Sequence, residues 1–196
     1  LGSTVTSLGT FTESTSTVTY DQSGGFTQAV ASDTYYNLTL NSTPSYFLTA
    51  NDVIVTGEIE VGASSTILLG GELTAGSLDL NGELSTVSND VTVSGATDID
   101  GTLTITSSTY NADGAIDATS GTIDLNSTAI LALSSTVTSL GTLDIAEGTV
   151  KYDGTSAQTV RAPSSGGYFN LTIENASTKT AGANIDVNGA LTTEAE

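Results

Sequence analysis

The sequence predicts an all-β protein whose short parallel strands are wound into a solenoid, with essentially no helix. Three features support this prediction: apolar and polar residues alternate, Gly, Asn and Asp recur at short intervals, and the chain repeats itself. Alternation is the period of a strand with one buried face, and no segment shows the period of an amphipathic helix. We therefore expect residues 1–196 to form one continuous β-solenoid built of imperfect repeats.

Strand-like alternation is clearest in the middle of the chain. The segments in which apolar residues lie two apart include 91–93, 103–105, 123–125, 130–133 and 143–145. Pairs of residues that favour tight turns separate such segments. They include Asn81-Gly82, Asp100-Gly101, Asp113-Gly114 and Asn188-Gly189. The chain thus reads as short strands joined by sharp corners.

A long internal repeat shows how these strands are organised. The heptapeptide TVTSLGT occurs at 4–10 and again at 136–142. Further matches follow at nearly the same offset: Val18, Tyr20 and Asp21 with Val150, Tyr152 and Asp153, 37–40 with 170–173, and Val53, Val55 and Gly57 with Ile185, Val187 and Gly189. Residues 1–64 and 133–196 are therefore two copies of one unit, and repeats of a different sequence fill 65–132.

A shorter repeat places Gly four residues after an aliphatic residue. It occurs at Val5/Gly9, Val53/Gly57, Val91/Gly95, Val137/Gly141 and Ile185/Gly189, with starts 48, 38, 46 and 48 residues apart. Each unit fits two coils of about 20–24 residues, and about nine coils would rise about 45 Å. An antiparallel sandwich is the alternative, but its strands usually come every 8–12 residues and have no reason to repeat with Gly in register.

The alternation also predicts which side chains point into the core. The inward set is Val53, Val55, Ile59, Val61, Val91, Val93, Ile99, Leu103, Ile105, Ile123, Leu125, Ile130, Leu143, Ile145, Ile185 and Val187.

The composition excludes several classes of function. The chain has 22 acidic and 3 basic residues, with a net charge of −19, so nucleic acid and anionic membrane surfaces are not expected partners. There is no Cys and no His, which removes disulfides, thiol chemistry and the usual zinc ligands. No apolar run approaches the ~18 residues of a membrane span. Because the chain begins Leu-Gly-Ser, we expect a processed product or a piece of a longer protein.

Three segments resemble the repeats of large secreted bacterial surface proteins. They are 148–160 (GTVKYDGTSAQTV), 168–173 (YFNLTI) and 185–192 (IDVNGALT). Such proteins are the filamentous-haemagglutinin-like and autotransporter-like adhesins and related extracellular filament proteins. The resemblance covers most of the chain and implies a right-handed parallel β-helix, export to the cell surface, and a structural or adhesive role.

The acidic residues were weighed as chemical sites. Asp98 and Asp100 flank Ile99 and could form a carboxylate pair of the glycosidase kind, but solvated acids beside a buried Ile are the favoured interpretation. The Ser residues have no His partner, so we expect no enzyme. Extracellular calcium is a candidate cofactor, with Asp98, Asp100, Asp113 and Asp117 as candidate ligands and unpaired surface acids as the favoured alternative.

Sequons offer candidate sites for N-linked glycans. They begin at Asn37, Asn41, Asn126, Asn170 and Asn175. Asn37 and Asn170 occupy corresponding places in the two copies. An ice-binding face is not expected, because the Thr-x-Thr motifs at 4–6, 17–19, 102–104 and 104–106 do not recur once per coil.

These observations predict an extracellular structural repeat protein, a segment of a surface filament, matrix fibre or adhesin stalk. The alternative is a module that binds carbohydrate or a host surface on one solenoid face. The Tyr residues at 35–46 and 152–168 fall in matching parts of the two copies, which favours a packing role over a sugar platform. Neither end carries a polar capping unit, so we expect the stack to continue end to end, in a longer chain or through further copies.

Overall fold

A computed structural model describes residues 5, 8, 14–21, 24–25, 27–41, 45–145, 147–175 and 177–194. These residues form strands and no helix, so none of the described segments is a helix that could cross a membrane. The strands are β1 (Thr17–Tyr20), β2 (Thr27–Val30), β3 (Thr34–Tyr35), β4 (Asn37–Leu40), β5 (Ser45–Thr49), β6 (Val53–Val61), β7 (Ser65–Leu69), β8 (Leu73–Leu80), β9 (Glu83–Ser85), β10 (Val91–Val93), β11 (Thr97–Ile99), β12 (Thr102–Thr106), β13 (Thr109–Ala112), β14 (Ile116–Asp117), β15 (Thr122–Asn126), β16 (Ile130–Leu133), β17 (Val137–Ser139), β18 (Thr142–Ile145), β19 (Thr149–Tyr152), β20 (Gln158–Val160), β21 (Asn170–Ile173), β22 (Lys179–Ala181) and β23 (Leu191–Thr193).

The strands stack into a β-solenoid with three faces. The first face contains β3, β10, β13, β16, β19, β21, β23 and the first halves of β6 and β8. The second contains β1, β4, β11, β14, β17 and the second halves of β6 and β8, and β20 and β22 continue it as a separate pair. The third contains β2, β5, β7, β9, β12, β15 and β18.

The pairing between neighbouring coils is parallel, and the solenoid makes about eight turns. Val53 pairs with Leu73, 20 residues further on, and Leu73 pairs with Val91 after another 18. This register identifies a solenoid and excludes the antiparallel sandwich. The coil is therefore at the short end of the predicted length.

The core lies inside the coil and is filled by every second residue of each strand. The members of the predicted inward set that are buried are Val53, Val55, Ile59, Val61, Val91, Val93, Ile99, Leu103, Ile105, Ile123, Leu125 and Leu143. Three members, Ile130, Ile185 and Val187, are only half-buried. The side chain of Ile145 lies outside the described part of the chain.

The prediction for Ile130 is wrong by one residue. In β16, Leu131 pairs with Tyr110 and Leu133 pairs with Ala112, and all four side chains are buried. Ile130 therefore points outward. Both alternating sets of β16 are apolar, so the sequence alone does not fix which set faces the core.

Glycine recurs in register because corners of successive coils touch. The Gly95 N–H donates to the Gly76 carbonyl oxygen of the preceding coil at 2.6 Å. A Cβ on Gly95 would lie 2.4 Å from that oxygen, which no side chain tolerates without a shift of backbone. The corner between the first and second faces thus requires Gly at this position.

Candidate functional site

The contact between coils is the feature that the two sequence copies preserve. A Tyr on one coil pairs with a Val on the next in each copy, and a Leu pairs with Ile or Leu. The matching pairs are Tyr35–Val55 with Tyr168–Val187, and Leu38–Ile59 with Leu171–Leu191. The copies nevertheless lie on different faces, because β4 is on the second face and its counterpart β21 is on the first.

The sequons at Asn37 and Asn170 take part in this contact. The Asn37 Oδ1 accepts a hydrogen bond from the Glu58 N–H of the next coil at 2.9 Å, and the Asn170 Oδ1 accepts one from Ala190 N–H at 2.9 Å. Each side chain thus holds two coils together at a corner. Their recurrence in the two copies has a structural explanation.

The three remaining sequons lie at other places on the coils. The carboxamide of Asn41 lies against Gly62 of the next coil, since a Cβ on that Gly would be 2.8 Å from the Asn41 Oδ1. Asn175 has a positive φ of 66° and donates from Nδ2 to the Asp153 carbonyl oxygen. Asn126 ends β15 and is half-buried. Glycosylation at the five sequons stays a prediction.

A pair of buried Tyr residues closes the interior in each copy. The Tyr35 hydroxyl donates to the Ala31 carbonyl oxygen at 2.6 Å, and the Ala31 N–H donates to the Tyr20 hydroxyl at 3.1 Å. The two hydroxyls are 3.2 Å apart, so Tyr20 is left to donate to Tyr35. The second copy repeats this arrangement with Tyr152, Tyr168 and Arg161.

These Tyr residues have a packing role, as their positions in the sequence predicted. Burial raises the pKa of Tyr35, with further contributions from its hydrogen bond to Tyr20 and the charges of Tyr20 and Asp33. Burial also raises the pKa of Tyr168, with a smaller contribution from Tyr152. Both phenols therefore stay protonated in the folded protein well above their usual range.

The last described coil has an apolar surface that no other described coil covers. Leu191 is 61% exposed, whereas its counterpart Ile59 is fully buried. Ile185 and Val187 are half-buried, and their counterparts Val53 and Val55 are buried. A cavity of about 360 Å³ opens here between coils, lined in part by Leu171, Ile173, Ile185, Val187 and Leu191. We call this surface, with the edge strands β22 and β23, the C-terminal edge.

Three of the predicted calcium ligands come together on the second face. Asp98 lies between Asp79 and Asp117 in the register of successive strands, and Asp100 is close in sequence. Partial burial raises the pKa of Asp98, and the charges of Asp100, Asp79 and Asp117 raise it further. Like charges one strand apart repel each other, so this column of acids is electrostatically unfavourable when ionised.

The fourth candidate, Asp113, lies in the turn between β13 and β14 and does not contribute to this shift. Asp117 accepts hydrogen bonds from the Thr119 N–H at 3.0 Å and hydroxyl at 2.6 Å, and Asp79 accepts one from Asn81 at 2.7 Å. In the part of the chain that the structure describes, no group of three or more acidic side chains could hold a metal ion.

Asp79 is the member of this column that the sequence analysis missed. The available signal was the match between the segments LDLNG (78–82) and TDIDG (97–101), which are 19 residues apart. Because that spacing equals one coil, it places Asp79 beside Asp98. Asp98 and Asp100 are both exposed beside the buried Ile99, in the arrangement expected of solvated acids.

The side faces carry few exposed aromatic rings. Five of the seven Tyr residues are buried, and Tyr46 is the most exposed, at 54%, next to the 40% exposed Leu48 on the third face. A separate cleft of about 320 Å³ lies where the third face meets the first. Its lining includes Ser127, Ile130, Glu147, Thr149, Phe169 and Asn170.

Comparison with known proteins gives no relative. No protein-family model, curated protein or solved structure matches this chain. The functional proposal below therefore depends on the fold and on the coil contacts alone.

Proposed function

We propose that this chain is a structural segment of an extracellular surface filament, matrix fibre or adhesin stalk, and not an enzyme. The observation that carries the proposal is the coil contact that both sequence copies reproduce, down to the Asn bridge and the Tyr pair. A chain that repeats a packing unit builds length, because each coil contacts only its neighbours along one axis.

The surface composition supports a place outside the cell. The net charge of −19 keeps such a rod soluble and discourages random lateral clumping. The absence of Cys means that the stack needs no particular redox environment. The resemblance of 148–160, 168–173 and 185–192 to secreted surface repeats points the same way.

The experiment is surface labelling of intact cells that make the protein. An antibody against the chain should label unbroken cells or their matrix, and external protease should remove the signal while a cytoplasmic marker stays intact. Labelling that requires lysis of the cells would contradict the proposal.

A second candidate function is binding of carbohydrate or a host surface on a side face. The cleft that contains Phe169 and Ile130 favours it, because it combines an apolar floor with hydroxyl, carboxylate and amide groups. Binding to immobilised glycans that Phe169→Ala abolishes and Tyr46→Ala leaves unchanged would support this function. Equal binding by both variants and the parent protein would exclude the cleft.

A further inference from the structure

The C-terminal edge is built like an interior coil. Within the described residues, β23 pairs only with β21 and β22 pairs only with β20, so each has one side without a strand partner. The corresponding coil of the first copy has neighbours on both sides. There Val53 pairs with Leu73, Val55 with Ala75 and Ile59 with Leu78.

The first copy therefore shows what kind of surface fits the C-terminal edge. The covering coil has apolar side chains at alternate positions and runs parallel to the coil that it covers. It converts a side chain that is 61% exposed at Leu191 into one that is fully buried at Ile59. The surface fits another coil of the same solenoid better than a globular partner of different geometry.

The internal repeat identifies which coil of this chain is suited to that position. The segment 136–142 stacks on a preceding coil, since β17 pairs with β14 and Thr142 pairs with Thr122, and Val137 and Leu140 are buried. The same seven residues occur at 4–10, where the two described members, Val5 and Leu8, are only half-buried. The other members of 4–10 lie outside the described residues.

We propose that the C-terminal edge docks the N-terminal coil of a second copy of this chain, head to tail. The docking segment is 4–10 of that copy, in the relation that 136–142 has to the coil before it. The inference rests on the proposed structural function and names the partner of its open coil. A head-to-tail contact of this kind leaves a new edge on each added copy, so it generates linear assemblies.

Charge gives the proposed contact a recognisable dependence on salt. Two copies that each carry −19 repel each other at a distance, while the contact itself buries mostly apolar side chains. Since the screening length falls from about 30 Å at 0.01 M to about 3 Å at 1 M salt, added salt weakens the repulsion. Association should therefore strengthen with salt, the reverse of a contact held by ion pairs.

Sedimentation velocity of the 196-residue chain over a range of NaCl and protein concentrations tests the inference. The parent protein should form oligomers that lengthen with concentration and with salt. Leu191→Lys should raise the dissociation constant by at least about tenfold, because it places a charge in the contact. Leu48→Lys is the matched control: the same change of charge at an exposed Leu on a side face should leave association unchanged.

Mixing two blocked variants distinguishes a head-to-tail contact from other modes. Leu191→Lys blocks the C-terminal edge and Leu8→Lys blocks the N-terminal segment, so each alone should be monomeric and an equimolar mixture should form a dimer. Thermal melts check that both variants fold. A parent protein that stays monomeric at all salt concentrations, or a mixture that stays monomeric, overturns the inference. Surface labelling would still decide the proposed function separately.

Discussion

Strain is localised at one corner, where the chain turns from the third face to the first. Val87, Ser107 and Ser127 all have positive φ, at 59°, 52° and 59°. This conformation costs an L-residue roughly 1–2 kcal/mol, and a β-branched side chain makes it worse. Val87 is 45% exposed, so burial does little to offset that cost.

Replacing Val87 by Asn should therefore stabilise the protein. We expect the free energy of unfolding to rise by about 1 kcal/mol, since Asn adopts positive φ more readily than Val. Urea denaturation of parent and variant measures the difference. Ser107→Asn is the control and should give a smaller gain, because Ser is not β-branched. A lower stability of Val87→Asn would show that the Val side chain makes a contact that outweighs the strain.

The acidic column gives a second prediction for single residues. Asp98 has a raised pKa in the folded protein, so the native state holds its proton more tightly than the unfolded chain does. By linkage, the contribution of Asp98 to stability falls as pH rises from its unfolded pKa through its folded one. Repulsion within the column is therefore present at neutral pH and relieved in acid.

Asp98→Asn should accordingly raise the melting temperature at pH 7 and have little effect at pH 3. Circular dichroism melts at the two pH values measure both changes. Asp113→Asn is the matched control, an exposed acid in a turn outside the column, and should change the melting temperature at pH 7 by less. Equal effects of the two substitutions would show that the column is not the source of the repulsion.

At the scale of strands and coils, the two copies provide a comparison within one molecule. Ile59→Ala removes a buried side chain between two coils and should cost about 2–5 kcal/mol. Leu191→Ala at the counterpart position should cost about 0.5 kcal/mol or less, because this side chain is already exposed. Denaturation of both variants under conditions where the chain is monomeric measures the ratio. Similar losses would mean that Leu191 is covered in solution.

The strands that could be predicted from the sequence are those in which only one alternating set is apolar. Residues 91–93, 103–105 and 123–125 meet this condition, and their inward side chains are buried as predicted. In β16 both sets are apolar, and the choice between Ile130 and Leu131 depends on Tyr110 and Ala112 of the coil below. That information is not local in the sequence.

The faces on which the copies lie could not be predicted either. Coil length varies, from 18 residues between Leu73 and Val91 to 21 between Tyr110 and Leu131. Small differences at corners add up along the chain, so a repeat in sequence need not return to the same face. The Asn bridges show the reason that the repeat still works: each contact involves only two neighbouring coils, whichever face they occupy.

For the whole molecule, the stack distributes its stability along one axis. Buried phenols occur near the beginning, in the middle and near the end, and burial raises the pKa of Tyr35, Tyr110, Tyr152 and Tyr168. Burial is the largest cause at each of the four positions. These groups can ionise only when the coils around them open, so they report on the integrity of the entire solenoid.

Raising the pH should unfold the protein together with ionisation of these buried phenols. Since their pKa is raised in the native state, their contribution to stability is complete below the unfolded value of about 10 and is lost as pH rises above it. We expect phenolate absorbance and loss of the β signal in circular dichroism to show one shared, steep transition above pH 10. The same titration in concentrated urea should give a broad curve centred near pH 10. If all phenols ionised while the β signal persisted, the Tyr pairs at Ala31 and Arg161 would have to be open to water, and the closed interior described here would be wrong.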